Sequence, residues 1–143
     1  MQKVLIIEDH ADMRELLIWQ VELMGYMPIA AKRGRDGVEK ALSEKPKLII
    51  MDIMMPGMDG YQTIAEIRSN PRFANLPIIA VTAKAMKGDR QKCIEAGASD
   101  YVAKPVDIEQ LVSVLRVWMH RTERPKYARR TGTDNVVSLP LLG

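Results

Sequence analysis

The sequence contains only one cysteine, Cys93, among its 143 residues. A single thiol cannot form an intrachain disulfide or a cysteine metal cluster, so we interpret Cys93 as a small residue on a helix face. Long apolar runs are absent too: the longest have four or five residues, whereas a membrane-spanning helix needs about 18. The N-terminus lacks the apolar stretch of a secretory signal peptide. These absences predict a cytoplasmic protein without a membrane partner.

Aromatic content and net charge are also low, at 5% and +3. The charge is unevenly distributed: residues 1–115 contain 15 basic and 16 acidic residues, whereas residues 116–143 contain six basic and two acidic ones. Tyr127 is the only aromatic residue interleaved with the charges of residues 121–143, so the pattern of a nucleic-acid-binding segment is missing. We therefore predict no direct contact with nucleic acid and interpret residues 121–143 as a basic linker or disordered tail.

Short apolar runs alternate with helical patterns through the rest of the chain, which we interpret as one domain, residues 1–120. Strands are predicted at residues 4–7, 27–31, 48–52, 77–82 and 100–103. Helices are predicted from Met13 to a stop at Gly25, at residues 35–43 and 60–69, in the second half of residues 84–96, and after a cap at Asp107. Five strand–helix units predict an α/β fold with a parallel sheet and helices on both of its faces.

The central strand of this arrangement is the run of residues 48–52. It is short, wholly apolar up to Asp52, and followed by a Pro/Gly-rich loop, which is typical of a strand buried on both faces. The strand of residues 27–31 contains Pro28, which predicts a position at a sheet edge. The second helix is expected to turn Val38, Ala41 and Leu42 inward.

Polar side chains terminate four of the five strands. Glu8 and Asp9 follow the first strand, Asp52 ends the third, Thr82 ends the fourth and Lys104 follows the fifth. Because the carboxyl ends of parallel strands share one edge of the sheet, we expect these groups to converge. Three crowded carboxylates repel one another unless a cation is present, and Mg²⁺ suits an oxygen-rich site. A remaining carboxylate is then available as a phosphoryl-accepting nucleophile.

These motifs, in this order, resemble the receiver domain of response regulators in two-component signalling. The match covers residues 2 to about 120 and includes the loop of residues 54–60, Thr82-Ala83, Tyr101 and Lys104-Pro105. Each piece alone has an ordinary interpretation, such as Asp52 as a turn cap, but the ordered set is specific. The resemblance implies a flavodoxin-like, doubly wound fold with five parallel strands in the order 2-1-3-4-5.

The resemblance also implies a role for each site residue. Asp52 is the acceptor of a phosphoryl group, and Thr82 and Lys104 hold that group. The implied Mg²⁺ ligands are Asp9, Asp52 and the backbone carbonyl of Met54, with Glu8 acting through water. Thr82 and Tyr101 form the implied switch pair.

The signalling cycle implied by the resemblance has a donor, a target and a slow return step. A histidine kinase or histidine phosphotransfer protein donates the phosphoryl group, and a downstream protein reads the change.

Val114 and Val117 of the last helix are candidates for a partner face, and the chain is expected to be a monomer or weak dimer, either alone or excised from a hybrid kinase.

Two further details follow from the resemblance. A cis peptide is implied between Lys104 and Pro105. Met54 and Lys84 flank the path of the hydrolytic water, and because methionine cannot orient water by a strong hydrogen bond, self-dephosphorylation should be slow. Self-phosphorylation and this slow reversal are the only reactions expected, so the chain is not interpreted as an enzyme.

Two alternative classes share part of the pattern. A phosphatase of the haloacid dehalogenase type uses a strand-end aspartate and Mg²⁺, but it needs a second acid two residues later, where this chain has Met54. A pseudo-receiver would be a binding module that has lost phosphotransfer, whereas this chain retains every required residue. Metal-dependent labelling by a small phosphodonor separates all three classes.

Overall fold

Five short strands form one sheet in a computed structural model that describes residues 1–54, 59–83 and 89–122. The strands are β1 (Lys3–Ile7), β2 (Met27–Ala31), β3 (Leu48–Asp52), β4 (Ile78–Thr82) and β5 (Asp100–Ala103). The helices are α1 (Ala11–Leu23), α2 (Gly34–Glu44), α3 (Gly60–Arg68), α4 (Asp89–Ala96) and α5 (Ile108–Thr122), with a 3₁₀ turn (Pro71–Phe73) after α3. Strands and helices alternate along the chain, as its hydrophobic pattern predicts.

The strand order is β2-β1-β3-β4-β5 and every pairing is parallel. This confirms the predicted flavodoxin-like order. It also confirms the edge position of β2, where Pro28 lies beside Val4 of β1. Proline has no backbone N–H to donate, and an edge strand needs to pair on one side only. The peptide between Lys104 and Pro105 is cis, as predicted.

Apolar side chains of the sheet alternate between two cores, one on each face. Leu5 and Ile7 of β1 join one cluster with α2, α3 and α4, whereas Val4 and Ile6 join the other with α1 and α5. The central strand β3 is buried along its whole length. A strand that is apolar on both faces needs helices on both sides, which explains the continuous apolar runs in the sequence.

Local signals set the helix boundaries close to the site. Asp59 caps α3: its carboxylate accepts the backbone N–H of Gln62, and the Gln62 side chain accepts the backbone N–H of Asp59. The predicted cap Asp107 accepts the backbone N–H of Glu109 at 3.0 Å. Gly25 follows α1 with φ of 90°, a conformation that favours glycine. Each cap satisfies backbone groups that the helix leaves unpaired.

Two side-chain predictions are corrected by the structure. Leu42, expected to face inward, is 39% exposed, while Val38 and Ala41 are buried. Leu42 lies one residue beyond Ala41 and is therefore about 100° further round the helix. Val114, expected with Val117 at a partner face, is half-buried and packs against the core, whereas Val117 is 52% exposed.

The side chain of Arg68 joins three segments on the α3 side of the sheet. Its guanidinium donates to the carbonyl of Gly97 at 2.9 Å and to the carbonyls of Phe73 and Leu76 at 2.7 Å. It also donates to Ser99 Oγ at 3.3 Å. Burial lowers the pKa of Arg68 from its usual value. Arg68 thus ties the end of α3 to the 3₁₀ turn and to the connection between α4 and β5.

Some predicted features lie outside the described residues. They are residues 55–58 of the loop after β3, Lys84 and its neighbours up to residue 88, and the tail from residue 123 onwards. The boundary between domain and tail therefore stays a prediction. Among the described residues, no helix is both long and apolar enough to cross a membrane.

Candidate functional site

The carboxyl edge of the sheet brings together side chains from four strand ends. Glu8 and Asp9 follow β1, Asp52 ends β3, Thr82 ends β4, and Lys104 follows β5. Glu8, Asp52 and Thr82 are fully buried. Ionised carboxylates are costly to bury unless a positive charge or hydrogen bonds compensate them. The groups that offset the carboxylate charge at this edge therefore indicate which ligands the site can bind.

Lys104 is the cation that enters the carboxylate cluster. Its Nζ lies 3.3 Å from Asp52 Oδ1 and 3.6 Å from Glu8 Oε1. Its side chain is only 19% exposed. The backbone N–H of Lys104 donates to the carbonyl of Thr82 at 2.8 Å, which fixes the start of this loop against β4. One ammonium group is thus shared between two buried carboxylates.

The loop after β1 is held by backbone and side-chain hydrogen bonds. Arg14 of α1 donates to the carbonyls of Glu8 and Asp9 at 3.0 and 3.2 Å. The backbone N–H of His10 donates to Glu8 Oε2 at 3.2 Å. The backbone N–H of Glu8 donates to the carbonyl of Ala31 in β2. Arg14 therefore bonds to main-chain oxygens and leaves the carboxylates facing the cleft.

Asp52 is oriented by a turn as well as by Lys104. Its Oδ1 atom accepts the backbone N–H of Met54 at 3.1 Å. The ordinary interpretation of a strand-end aspartate, a turn cap, is therefore correct for one oxygen. The other oxygen, Oδ2, is buried and has no hydrogen-bond partner in the described part of the chain. A turn cap alone does not account for that second buried oxygen.

Lys104 offsets only part of the negative charge of this carboxylate cluster. Burial is the main reason that the pKa of Glu8 rises from its ordinary value of 4.5 to about 7, and the neighbouring carboxylate of Asp52 raises it further. The backbone N–H of His10 and the charge of Lys104 act in the opposite direction. Lys104 therefore compensates the carboxylates only in part.

The unsatisfied oxygens fit a divalent cation. Within the described ranges, Glu8 Oε1, Asp9 Oδ1 and Asp52 Oδ2 are buried atoms without a hydrogen bond. One ligand atom from each of Glu8, Asp9, His10 and Asp52 lies within 4.8 Å of the others. Buried polar atoms normally have partners. A small, hard cation with oxygen ligands would satisfy all three carboxylates.

The two predicted switch residues lie on neighbouring strands. Thr82 is buried at the end of β4 and is paired in register with Ala103 of β5. Tyr101 lies on β5, is half-buried, and packs against the core cluster on the α3 and α4 side. β5 forms the second edge of the sheet, so a half-buried aromatic residue is also ordinary there. The switch role stays a prediction.

The sequence alone did not point to two residues of this edge, His10 and Arg14. His10 directly follows the acidic pair, and its Nδ1 lies 3.7 Å from Asp9 Oδ1. That adjacency was a usable signal. Arg14 gave none, because its partners are backbone carbonyls that any residue supplies.

Comparison with known proteins supports the interpretation of this edge as a signalling site. The chain is 33% identical over 141 residues to a probable transcriptional regulator, ycf27, of Guillardia theta, covering 99% of this chain and 54% of the relative. It is 35% identical over 113 residues to an uncharacterised 14.6 kDa protein of Leptolyngbya boryana, covering 79% and 86%. The chain thus spans about half the length of the first relative.

A solved structure and a family model complete the comparison. The receiver domain of a sensor histidine kinase, PA1611 of Pseudomonas aeruginosa, superposes with a TM-score of 0.77 at 34% identity, covering 83% of this chain and 98% of that one. That structure is described with a magnesium ion coordinated in its active-site cleft. The model of the response regulator receiver domain matches residues 4–116. With the strand order, the acidic cluster and Lys104 in place, this chain belongs to the response regulator receiver domain family.

Proposed function

We propose that Asp52 accepts a phosphoryl group from a phosphohistidine donor, and that this modification switches a protein-interaction surface. The observation that carries the proposal is the position of Asp52, buried at the carboxyl end of β3 beside Lys104, whose ammonium it shares with Glu8. A carboxylate held in place, with a cation beside it and an unsatisfied oxygen, is equipped to be a nucleophile. Family membership supports the same role.

The chemical step is a phosphoryl transfer to a carboxylate. An oxygen of Asp52 forms a bond to phosphorus, and the bond between phosphorus and the donor nitrogen breaks. The imidazole of the donor leaves with the electron pair, and Asp52 becomes a mixed anhydride. Charge on the phosphoryl oxygens needs electrostatic stabilisation more than covalent help. Lys104 and Thr82 are proposed to supply it, because both lie at the strand ends beside Asp52.

Mg²⁺ is the proposed cofactor. Asp9, Asp52 and the backbone carbonyl of Met54 would hold it, with Glu8 nearby through water. When bound, it offsets the carboxylate charge and the charge of the incoming phosphoryl group. The three unsatisfied carboxylate oxygens support this assignment.

The proposed output is a change at the surface formed by α4, β5 and α5. Phosphorylation adds negative charge beside Thr82, which precedes α4, and beside Lys104, which follows β5. Thr82 and Tyr101 are the proposed pair that couples this charge to the surface. Val117 of α5, which is 52% exposed, is proposed to belong to that surface.

The proposed partners are a histidine kinase or histidine phosphotransfer protein upstream and a protein downstream. The curated relative named as a transcriptional regulator extends well beyond the region that this chain matches. Its name therefore does not assign DNA contact to the receiver region, for which we propose protein contact alone. A cytoplasmic location, a monomeric or weakly dimeric state, and activity limited to self-phosphorylation and its slow reversal complete the proposal.

Incubation with acetyl phosphate tests the proposal directly. We expect intact-mass measurement to show the gain of one phosphoryl group when Mg²⁺ is present and no gain in EDTA. The phosphorus–oxygen bond of the donor breaks and acetate leaves. An unmodified mass, under conditions where calorimetry shows that Mg²⁺ binds, would contradict the proposed acceptor chemistry.

Replacing Met54 should change how long the phosphoryl group persists. Met54 is 47% exposed and follows Asp52 by two residues, next to the proposed water path. We expect Met54→Asn to shorten the phosphate lifetime about tenfold, the effect of one oriented hydrogen bond of roughly 1.4 kcal/mol. Phosphate release after removal of the donor measures the lifetime. Met54→Leu is the matched control and should leave it unchanged; equal lifetimes for all three proteins would refute the role of position 54.

A further inference from the structure

His10 places a nitrogen donor beside the acidic cluster. It is the N-cap residue of α1, and its backbone is fixed by the hydrogen bond to Glu8 Oε2. Its side chain is 75% exposed, so the imidazole lies at the mouth of the site. The sequence contains only one other histidine, His120. Nothing in the proposed phosphoryl transfer uses His10.

The distances from His10 suit a shared ion better than a hydrogen bond. Its Nδ1 lies 3.8 Å from Glu8 Oε2 and 3.7 Å from Asp9 Oδ1, both longer than a hydrogen bond. Two ligands that each lie about 2.1 Å from one metal ion are separated by about 3 to 4.2 Å. The observed separations fall in that interval. Asp9 Oδ1 is itself a buried oxygen without a hydrogen bond among the described residues, and Glu8 and Asp52 belong to the same cluster.

We propose that His10 is a nitrogen ligand of the metal site, so that the site binds imidazole-preferring transition-metal ions more tightly than an all-oxygen site does. Imidazole suits Zn²⁺, Ni²⁺ and related ions, whereas Mg²⁺ prefers oxygen ligands and keeps its waters. His10 therefore determines which metals compete for the site and contributes little to Mg²⁺. This inference rests on the metal site of the proposed function and adds the metal class that the site selects.

A simpler role for His10 predicts a different result. If a protonated imidazole only offset the charge of the carboxylates, it would repel every divalent ion. Its removal would then strengthen the binding of Mg²⁺ and Ni²⁺ alike. If His10 is instead a nitrogen ligand, its removal should weaken the binding only of those ions that coordinate imidazole. The two roles are therefore distinguished by whether metal affinity rises or falls when His10 is removed, and by which metals are affected.

Calorimetric titration of the full chain with Ni²⁺ and, separately, with Mg²⁺ tests the proposal in His10→Asn. We expect Ni²⁺ affinity to fall on the order of tenfold, with Mg²⁺ affinity changed by less than about twofold. His120→Asn is the matched control. His120 is exposed in the last turn of α5, about 18 Å along the helix from its start beside the site, and its loss should not affect either ion.

Pulsed electron paramagnetic resonance of bound Cu²⁺, an ion that imidazole suits, gives a readout independent of affinity. Nitrogen coupling to the ion should be present in the wild type and in His120→Asn, and absent in His10→Asn. Persistence of the coupling in His10→Asn, or stronger binding of both ions by that variant, would overturn the proposal. Labelling by acetyl phosphate with Mg²⁺ stays a separate test, so failure of the nitrogen ligand is distinguishable from failure of the receiver chemistry.

Discussion

Asp52→Asn is expected to abolish phosphorylation by acetyl phosphate. The amide cannot form the mixed anhydride. Glu8 is no substitute, because Lys104 Nζ donates a hydrogen bond to Asp52 Oδ1 at 3.3 Å but lies 3.6 Å from Glu8 Oε1. Intact mass after incubation with donor and Mg²⁺ should match that of the untreated protein. The wild type, treated identically, should gain one phosphoryl group. The expected loss is complete rather than partial, because the variant removes the nucleophile itself.

Asp59→Asn is the matched control for this loss. Asp59 caps α3 through a hydrogen bond of 2.8 Å from the backbone N–H of Gln62, and asparagine caps a helix about as well as aspartate. This variant should be phosphorylated like the wild type. A mass gain in Asp52→Asn would refute Asp52 as the acceptor. Absence of the mass gain in both variants would also contradict a specific role of Asp52.

Unfolding in urea shows whether the Asp52→Asn variant is stably folded. Without metal, the variant should be at least as stable as the wild type, because it removes the carboxylate that repels Glu8 and raises its pKa. A stable fold without labelling assigns the loss to chemistry. A variant with lowered stability would instead mean that the interaction of Asp52 with Lys104 stabilises the fold more than the carboxylate repulsion destabilises it.

Arg68→Met is expected to cause the largest loss of stability. Methionine keeps an apolar stem of similar length but donates no hydrogen bonds to the carbonyls of Gly97, Phe73 and Leu76. Each polar group left without a hydrogen bond costs about 1–3 kcal/mol. Because water reaches part of this site and can replace some of the lost bonds, we expect the free energy of unfolding to fall by about 3 kcal/mol in total. The free energy of unfolding in urea, compared with that of the wild type, measures the loss.

Arg72→Met is the matched control for the role of Arg68. Arg72 is exposed, and its guanidinium donates at 3.3 Å to the carbonyl of Leu42 and lies over the ring of Phe73. Its replacement should cost less than about 1 kcal/mol, as is usual for exposed positions. Similar losses in the two variants would show that general loss of arginine, rather than the hydrogen-bond network of Arg68, sets the cost.

The network of Arg68 also concerns how the signal leaves the site. The guanidinium holds the carbonyl that follows α4 and the hydroxyl that precedes β5. These two elements form part of the proposed output surface. Loss of Arg68 should therefore loosen that surface as well as lower the stability of the domain.

Sequence periodicity predicted the fold because each physical signal was local. The five apolar runs became five strands, Pro28 marked an edge, and Asp107 capped α5, as the sequence indicated. The convergence of Asp9, Asp52 and Lys104 was also predictable, because parallel strands bring their carboxyl ends to one edge. Leu42 was misplaced, since its exposure depends on how α2 is rotated against the sheet.

The sequence by itself determined the alternation of strands and helices, the strand-end groups and the family, because these depend on short-range patterns and on their order. Only the tertiary structure decided the partners of Arg68, which lie 5 to 31 residues away, and the distances from His10 to two carboxylates. Backbone carbonyls carry no sequence signal, and distances of a few ångströms depend on packing. For that reason the convergence of the strand-end groups was predictable from the chain, whereas the contacts of His10 and Arg68 were not.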